Sequence, residues 1–294
     1  MAEYPFVPEP PTRLLPARTV QIAGRGEFFL RDSGGDGPAV MLLHGWMASA
    51  DLNWHGAYDD LAEAGYRVLA IDHRGHGRGL RPLVPFRLAD CAGDAAAVLR
   101  ELGVAPAVVV GYSMGGAIAQ LVARDHPDVV GGLVLSGTAQ HWQEPQVRRV
   151  WRAMGALGLA LSLAPRPVLK ASFRRAGLVE SDRTAWLRSE VMRHSARDIA
   201  EAGRELGRFD SRPWLKDVPV GSAMVLTARD EAVSPRKQHE LAGALGSEIF
   251  EVPITHLQIT TAARKYNPAL LQAIAAVSAG AGVKTAGRSG TLSA

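Results

Sequence analysis

The stretch Ala107-Val-Val-Val-Gly111-Tyr-Ser113-Met-Gly115-Gly116 constrains the fold of this chain more than any other. Val108 to Val110 form an unbroken apolar run, the pattern of a strand buried on both faces. The Ala- and Leu-rich segment from Ala117 to His126 has the composition of a helix. Between them the chain must turn sharply within a G-x-S-x-G pentapeptide, with Ser113 at the apex. Gly111 and Gly115 stand two residues either side of it, where a Cβ would crowd the turn. Such a pentapeptide also arises by chance. The strand before it and the helix after it make it a candidate nucleophile elbow, with the serine hydroxyl lifted above the sheet edge beside the positive end of a helix.

The surrounding chain repeats the same alternation. Short strands are expected at Thr19–Ala23 and Glu27–Arg31, joined by a Gly24-Arg-Gly26 turn. Buried strands are expected at Ala39–Leu43, Tyr66–Ile71, the elbow strand and Ala223–Thr227, and further strands at Gly131–Leu135 and Glu248–Val252. Helical segments at Leu52–Ala64, Leu88–Leu102, Ala117–His126, Pro235–Leu245 and about Ala269–Val277 separate them. Strands alternating with helices predict an α/β fold with a mostly parallel eight-stranded sheet and right-handed crossovers. The alternation lapses once. Glu144 to Phe209 reads as helices only, with breaks at Pro165 and Pro167. The expected organisation is an irregular lead-in over 1–16, a core over 17–140 and 213–278, a helical cap inserted over 141–212, and a disordered tail over 279–294.

Composition excludes several classes. At 47% hydrophobic and 21% charged, the chain has a soluble protein's balance. No run approaches the length needed to span a bilayer, and the acidic, Pro-rich start lacks the apolar core of a signal peptide. The apolar stretch Met154–Ala164 is expected to be core or pocket lining, so no stable membrane insertion is expected. The one cysteine, Cys91, fits a reducing, cytoplasmic setting as a buried inert thiol. No Cys/His spacing suits zinc and no G-x-x-x-x-G-K suits phosphate, so neither metal nor organic cofactor is expected. Residues 141–212 carry thirteen arginines and one lysine against eight acidic residues, while the whole chain is only +4. Without aromatic interleaving this basic segment reads as a solvated helical face, and no nucleic-acid partner is expected.

A serine needs a base to act as a nucleophile at neutral pH, and a histidine base needs an acid to fix its tautomer. His256 follows the last strand, in Val252-Pro-Ile-Thr-His256, on a loop that returns toward the elbow. The acid is expected at the end of another strand, where Asp230 stands, with Glu231 as the fallback. His44, His73 and His76 sit at strand ends as loop-shaping residues. His55, His126, His194 and His239 are expected at the surface. His141 and Trp142, at the start of the cap, are expected to touch substrate. The backbone N–H groups of Trp46 and Met114 are the expected oxyanion donors.

The order Ser113, Asp230, His256, together with His44-Gly45-Trp46, Asp72-His-Arg74-Gly75-His-Gly77, Gly111-Tyr-Ser113-Met-Gly115-Gly116, Thr227-Ala-Arg-Asp230 and Thr255-His256, resembles the capped α/β-hydrolase family of the bacterial serine esterase and lipase type. The resemblance covers about residues 18–278. It implies an α/β-hydrolase fold, a Ser-His-Asp triad, and hydrolysis of a carboxylic ester or related acyl compound, with a small apolar acyl molecule as partner. It implies structural roles for Asp72 and Arg74. Thr255 departs from the family pattern, which most often has glycine before the histidine. Ser113 argues against members with a nucleophilic aspartate, such as haloalkane dehalogenases and epoxide hydrolases. Acyl transfer, lactone hydrolysis, C–C cleavage and perhydrolysis remain open at the same site, as does non-catalytic binding of a small ligand.

Overall fold

A computed structural model describes residues 9–164, 167, 168, 171, 174 and 181–280. Eight strands form one sheet: β1 Ala17–Ile22, β2 Gly26–Asp32, β3 Ala39–Leu43, β4 Arg67–Ile71, β5 Ala107–Tyr112, β6 Val130–Ser136, β7 Ser222–Thr227 and β8 Glu248–Val252. Their order is β1-β2-β4-β3-β5-β6-β7-β8. β1 and β2 pair antiparallel, β2 meets β4 antiparallel, and every pair from β4 to β8 is parallel. The mostly parallel eight-stranded sheet expected from the sequence is present.

Ten helices accompany it among the described residues: α1 Ala50–Trp54, α2 Tyr58–Glu63, α3 Leu88–Glu101, α4 Met114–Asp125, α5 Pro145–Arg152, α6 Met154–Leu163, α7 Asp182–Val191, α8 Ala196–Arg208, α9 Pro235–Leu245 and α10 Ala263–Gly280. Successive strand residues point to opposite faces. Met41, Leu43 and Val109 therefore pack with Leu99, Ile118 and Leu241 of α3, α4 and α9. Val40, Leu42, Val108 and Val110 pack on the other face with Trp54, Tyr58, Tyr266 and Leu270 of α1, α2 and α10. Burial on both faces is why these strands read as unbroken apolar runs. Each fully buried aliphatic or aromatic side chain contributes about 1.5–3 kcal/mol. β3 pairs with β4 on one side and β5 on the other, so strand order reverses there and opens a crevice at their carboxyl ends.

Three elements differ from expectation. The single helix read over 52–64 is two short ones, α1 and α2, because Asn267 Nδ2 donates to the Gly56 carbonyl at 2.7 Å and holds it away from a helical ladder. The last helix starts at Ala263, six residues before Ala269, with Pro268 inside it. That proline forfeits one early hydrogen bond, and buried Tyr266, Leu270 and Ile274 outweigh the loss. The helix also runs to Gly280, into the segment expected as tail. Pro167 is helical rather than a break. The break expected at Pro165, residues 1–8 of the lead-in and residues 281–294 of the tail lie outside the described residues.

Between β6 and β7 the chain leaves the sheet for α5 to α8. It departs and returns at one point, where Ser211 N–H donates to the Gln140 carbonyl at 2.9 Å and His141 bridges Asp210. α8 begins beside the loops that follow β3 and β4. Ser195 N–H donates to the Gly75 carbonyl (2.8 Å), and Arg78 donates to Glu190 of α7 from Nη1 and Nη2 (3.1 and 3.0 Å). α6 packs on α8, turns Leu161 toward a hollow and exposes Leu159 and Leu163. No helix among the described residues is long and apolar enough to cross a membrane.

Candidate active site

Ser113 sits between β5 and α4 with φ +54° and ψ −117°. A non-glycine residue in this region costs on the order of 1–3 kcal/mol and persists only when its surroundings over-determine it. Here they do. Ser113 N–H donates to the Ser136 carbonyl of β6 (3.0 Å), while its own carbonyl accepts from Gly116 N–H (2.9 Å) and the Thr138 hydroxyl (2.8 Å). A Cβ on Gly115 would strike the Leu43 carbonyl, so the turn that lifts Ser113 requires glycine there.

His256 begins a short 3-10 turn after β8, and its Nε2 lies 3.1 Å from Ser113 Oγ. Its Nδ1 lies 2.7 Å from Asp230 Oδ2. The carboxylate accepts at Oδ2, so Nδ1 carries the proton and Nε2 is free to accept from the serine hydroxyl. Asp230 is buried and held on three more sides. Thr227 Oγ1 donates to Oδ2 (2.7 Å), and the Ala232 and Val233 N–H groups donate to Oδ1 (2.9 and 2.7 Å). The fallback acid, Glu231, is exposed and makes none of these bonds. Thr255, where glycine was the expected pattern, opens a capping box with Gln258 that fixes the start of the turn. The Tyr112 hydroxyl donates to the His256 carbonyl from below.

The loop after β3 lies against the serine. A Cβ placed on Gly45 would stand 3.3 Å from Ser113 Cβ. Gly45 N–H donates to Asn53 Oδ1 (2.7 Å), and the neutral His44 ring donates from Nδ1 to the Gly45 carbonyl (2.8 Å) and accepts His73 N–H at Nε2 (3.0 Å). Burial drives the His44 pKa down to about 3. Neither the Trp46 nor the Met114 N–H donates to an acceptor among the described residues.

His141 and Trp142, expected to touch substrate, stand where the helical insertion leaves the core. Trp142 is buried, stacked near Phe209 and covered by Lys237 Nζ, and its carbonyl accepts from the Trp151 indole. The His141 carbonyl accepts from Lys237 (2.6 Å). No contact among the described residues brings either side chain to Ser113. The pair forms the hinge at which the helical insertion leaves the core. Two histidines expected at the surface are not there. His55 is buried against Trp186, and His194 is partly buried between loops of the core. Cys91 is a buried free thiol whose pKa burial raises. Among the described residues no group of His, Cys, Asp or Glu is placed to hold a metal.

A family model described as alpha/beta hydrolase fold matches residues 38–173. An enol-lactonase from Burkholderia xenovorans LB400 superposes with a TM-score of 0.75 over 88% of this chain and 100% of that one, at 22% identity. The chain has the α/β-hydrolase fold. It is 42% identical over 100 residues to epoxide hydrolase B of Mycobacterium tuberculosis, covering 33% of this chain and 28% of the relative. It is 40% identical over 111 residues to a bifunctional esterase/perhydrolase of Acinetobacter calcoaceticus, covering 37% and 40%. The chain thus spans less than half the length of these curated relatives.

Sequence reasoning missed Thr227, Thr138 and Asn53, which position the acid, the elbow and the loop after β3. Single hydroxyl and amide residues in loops carry no signal until the fold brings their partners to them.

Proposed function

We propose that this protein hydrolyses a carboxylic ester or a related acyl compound through an acyl-enzyme. The observation that carries the reading is the continuous chain Asp230–His256–Ser113, with donor and acceptor roles forced by chemistry at each link. His256 Nε2 takes the Ser113 proton as Oγ bonds to the substrate carbonyl carbon. The resulting oxyanion takes hydrogen bonds from the Trp46 and Met114 N–H groups. His256 then returns the proton to the leaving alcohol as the C–O bond breaks. Water, deprotonated by His256, attacks the acyl carbon and releases the acid with Ser113 restored. Asp230 holds the imidazole and stabilises its charged form.

The relatives' names span esters, perhydrolysis, a lactone and an epoxide. Ser113 favours acyl chemistry over epoxide opening by a carboxylate. The test is hydrolysis of a p-nitrophenyl ester series from acetate to palmitate by the wild type and Ser113→Ala. Ser113→Ala is expected to lower kcat/KM by about 10⁴-fold or more. Wild-type silence across the series with Ser113 still labelled by a phosphonate points to lactone, C–C or acyl-transfer substrates. Silence without labelling removes the enzyme reading and favours a ligand-binding protein.

A further inference from the structure

The loop carrying the Trp46 N–H is gripped from the helical insertion at two consecutive residues. The Trp46 indole Nε1–H donates to the Ile199 carbonyl in the first turn of α8 at 2.8 Å, and its ring meets Trp151 edge-on at 5.5 Å. One residue later the Met47 carbonyl faces His194 Nε2 at 3.1 Å. Met47 has φ +58°. Like Ser113, it is a non-glycine residue in the left-handed region, so something must hold it there.

His194 lies two residues before α8, and both its nitrogens are used. Gly77 N–H donates to Nδ1 at 2.9 Å. The Met47 carbonyl can only accept, so Nε2 must carry the hydrogen. The ring is therefore neutral with one defined tautomer. A second proton would set N–H against N–H at Gly77. The His76 ring packs against that of His194 at 5.5 Å, and the charges of His44, Arg81 and Glu190 act on it as well. Burial, with Arg81 assisting and Glu190 opposing, lowers its pKa to about 4. The segment that delivers His194 is anchored independently, by Glu190 on Arg78, by Ser195 on Gly75, and by Glu201, which accepts Phe86 N–H at 2.7 Å.

We propose that His194 is a positioning residue for the oxyanion donor: by holding the Met47 carbonyl it fixes the Trp46 N–H, so that the donor is in place only while the α7–α8 segment is seated. This rests on the oxyanion role proposed above for Trp46. The insertion then does more than cover the site, because its seating is read directly by the group that stabilises developing charge.

The test compares His194→Asn, which offers Gly77 an acceptor but falls short of Met47, with His194→Gln, whose amide N–H reaches Met47 without titrating. Two readouts are taken on full-length protein: ester kinetics, and hydrogen exchange of the 44–49 backbone. His194→Asn is expected to lower kcat about tenfold or more with KM within threefold, a fraction of the 10²–10³ typical for a lost oxyanion donor. It is also expected to speed exchange at Trp46 to Ala48. His194→Gln is expected to restore both to within threefold of wild type. A rise in KM at constant kcat, or equal defects in Asn and Gln, overturns the proposal. Unchanged exchange in His194→Asn overturns it whatever the kinetics show. If the wild type neither turns over esters nor is labelled at Ser113, the enzyme reading fails, and hydrogen exchange alone decides whether His194 holds the loop.

Discussion

Two groups of histidines lie within the carboxyl-end loops of one sheet, and their surroundings give them opposite properties. His256 has a buried carboxylate 2.7 Å from Nδ1, a hydroxyl 3.1 Å from Nε2, and a side chain 17% exposed. His44, His73, His76 and His194 pack ring to ring, with His44 4.3 Å from His73 and 5.3 Å from His76, and none of them has a carboxylate hydrogen-bond partner among the described residues. Burial holds all four below the usual imidazole range. The difference teaches that the residue type supplies only the capacity to move a proton. A carboxylate at one nitrogen and a path to solvent at the other make a base, and their absence makes a neutral wedge that shapes loops.

The sharpest way to break this comparison is to remove the carboxylate. Asp230→Asn keeps the shape of the site but lets the imidazole adopt the wrong tautomer and leaves its charged form unstabilised. A loss of about 10⁴-fold in kcat is expected on any ester that the wild type turns over. A loss of less than tenfold would mean that His256 does not depend on Asp230, and the proposed triad would fall.

The second prediction concerns the neutral group, through pH. An unfolded histidine titrates near 6.5, whereas native His44 and His194 titrate at about 3 and about 4, and His73 and His76 lie well below 6.5. Between these values the unfolded chain binds protons that the native state refuses. Stability from these groups is therefore complete above about pH 6.5 and is lost as pH falls toward 4, by up to ~1.4 kcal/mol per group per pH unit. Asp72 works in the opposite sense. Burial raises its pKa to about 6, so the native state binds its proton first and part of the loss is offset. Thermal midpoints are expected to drop steeply between pH 7 and 5. The variant His76→Leu removes a ring whose Nε2 finds no partner among the described residues and should flatten that drop. Parallel slopes in wild type and variant would show that the cluster does not carry the acid sensitivity.

How much of this was legible in the sequence follows from whether a partner is local. Strands β3 to β7 are mainly apolar runs because both sheet faces are covered there, and each residue of the proposed triad stands at a strand end. The pentapeptide and the order of Ser113, Asp230 and His256 could therefore be read directly. His194 could not. Its neighbours are Met192, Arg193, Ser195 and Arg197, a surface pattern, and its two partners, Met47 and Gly77, are more than a hundred residues away. Nor could the packing of Trp142, since Phe209 and Lys237 meet its ring from distant segments. The split of α1 from α2 depended on Asn267, which no local pattern connects to Gly56.

Thr255 gives the smallest effect and the finest test of how the base is held. Its backbone N–H donates to Gln258 Oε1 at 2.9 Å, and its side chain accepts from the backbone at the third position of the turn that begins with His256. Threonine and glycine both suit the start of such a turn, whereas alanine supplies neither a hydroxyl nor glycine's freedom. Thr255→Gly is therefore expected to cost only a few tenths of a kcal/mol, and Thr255→Ala about 1 kcal/mol, in thermal or urea unfolding. The tyrosine bond to the His256 carbonyl and the Asp230 bond to its ring survive both changes, so kcat/KM should stay within about threefold. A large kinetic defect in Thr255→Ala with little change in stability would show that the capping box, rather than Asp230 and Tyr112, sets the aim of His256 at Ser113.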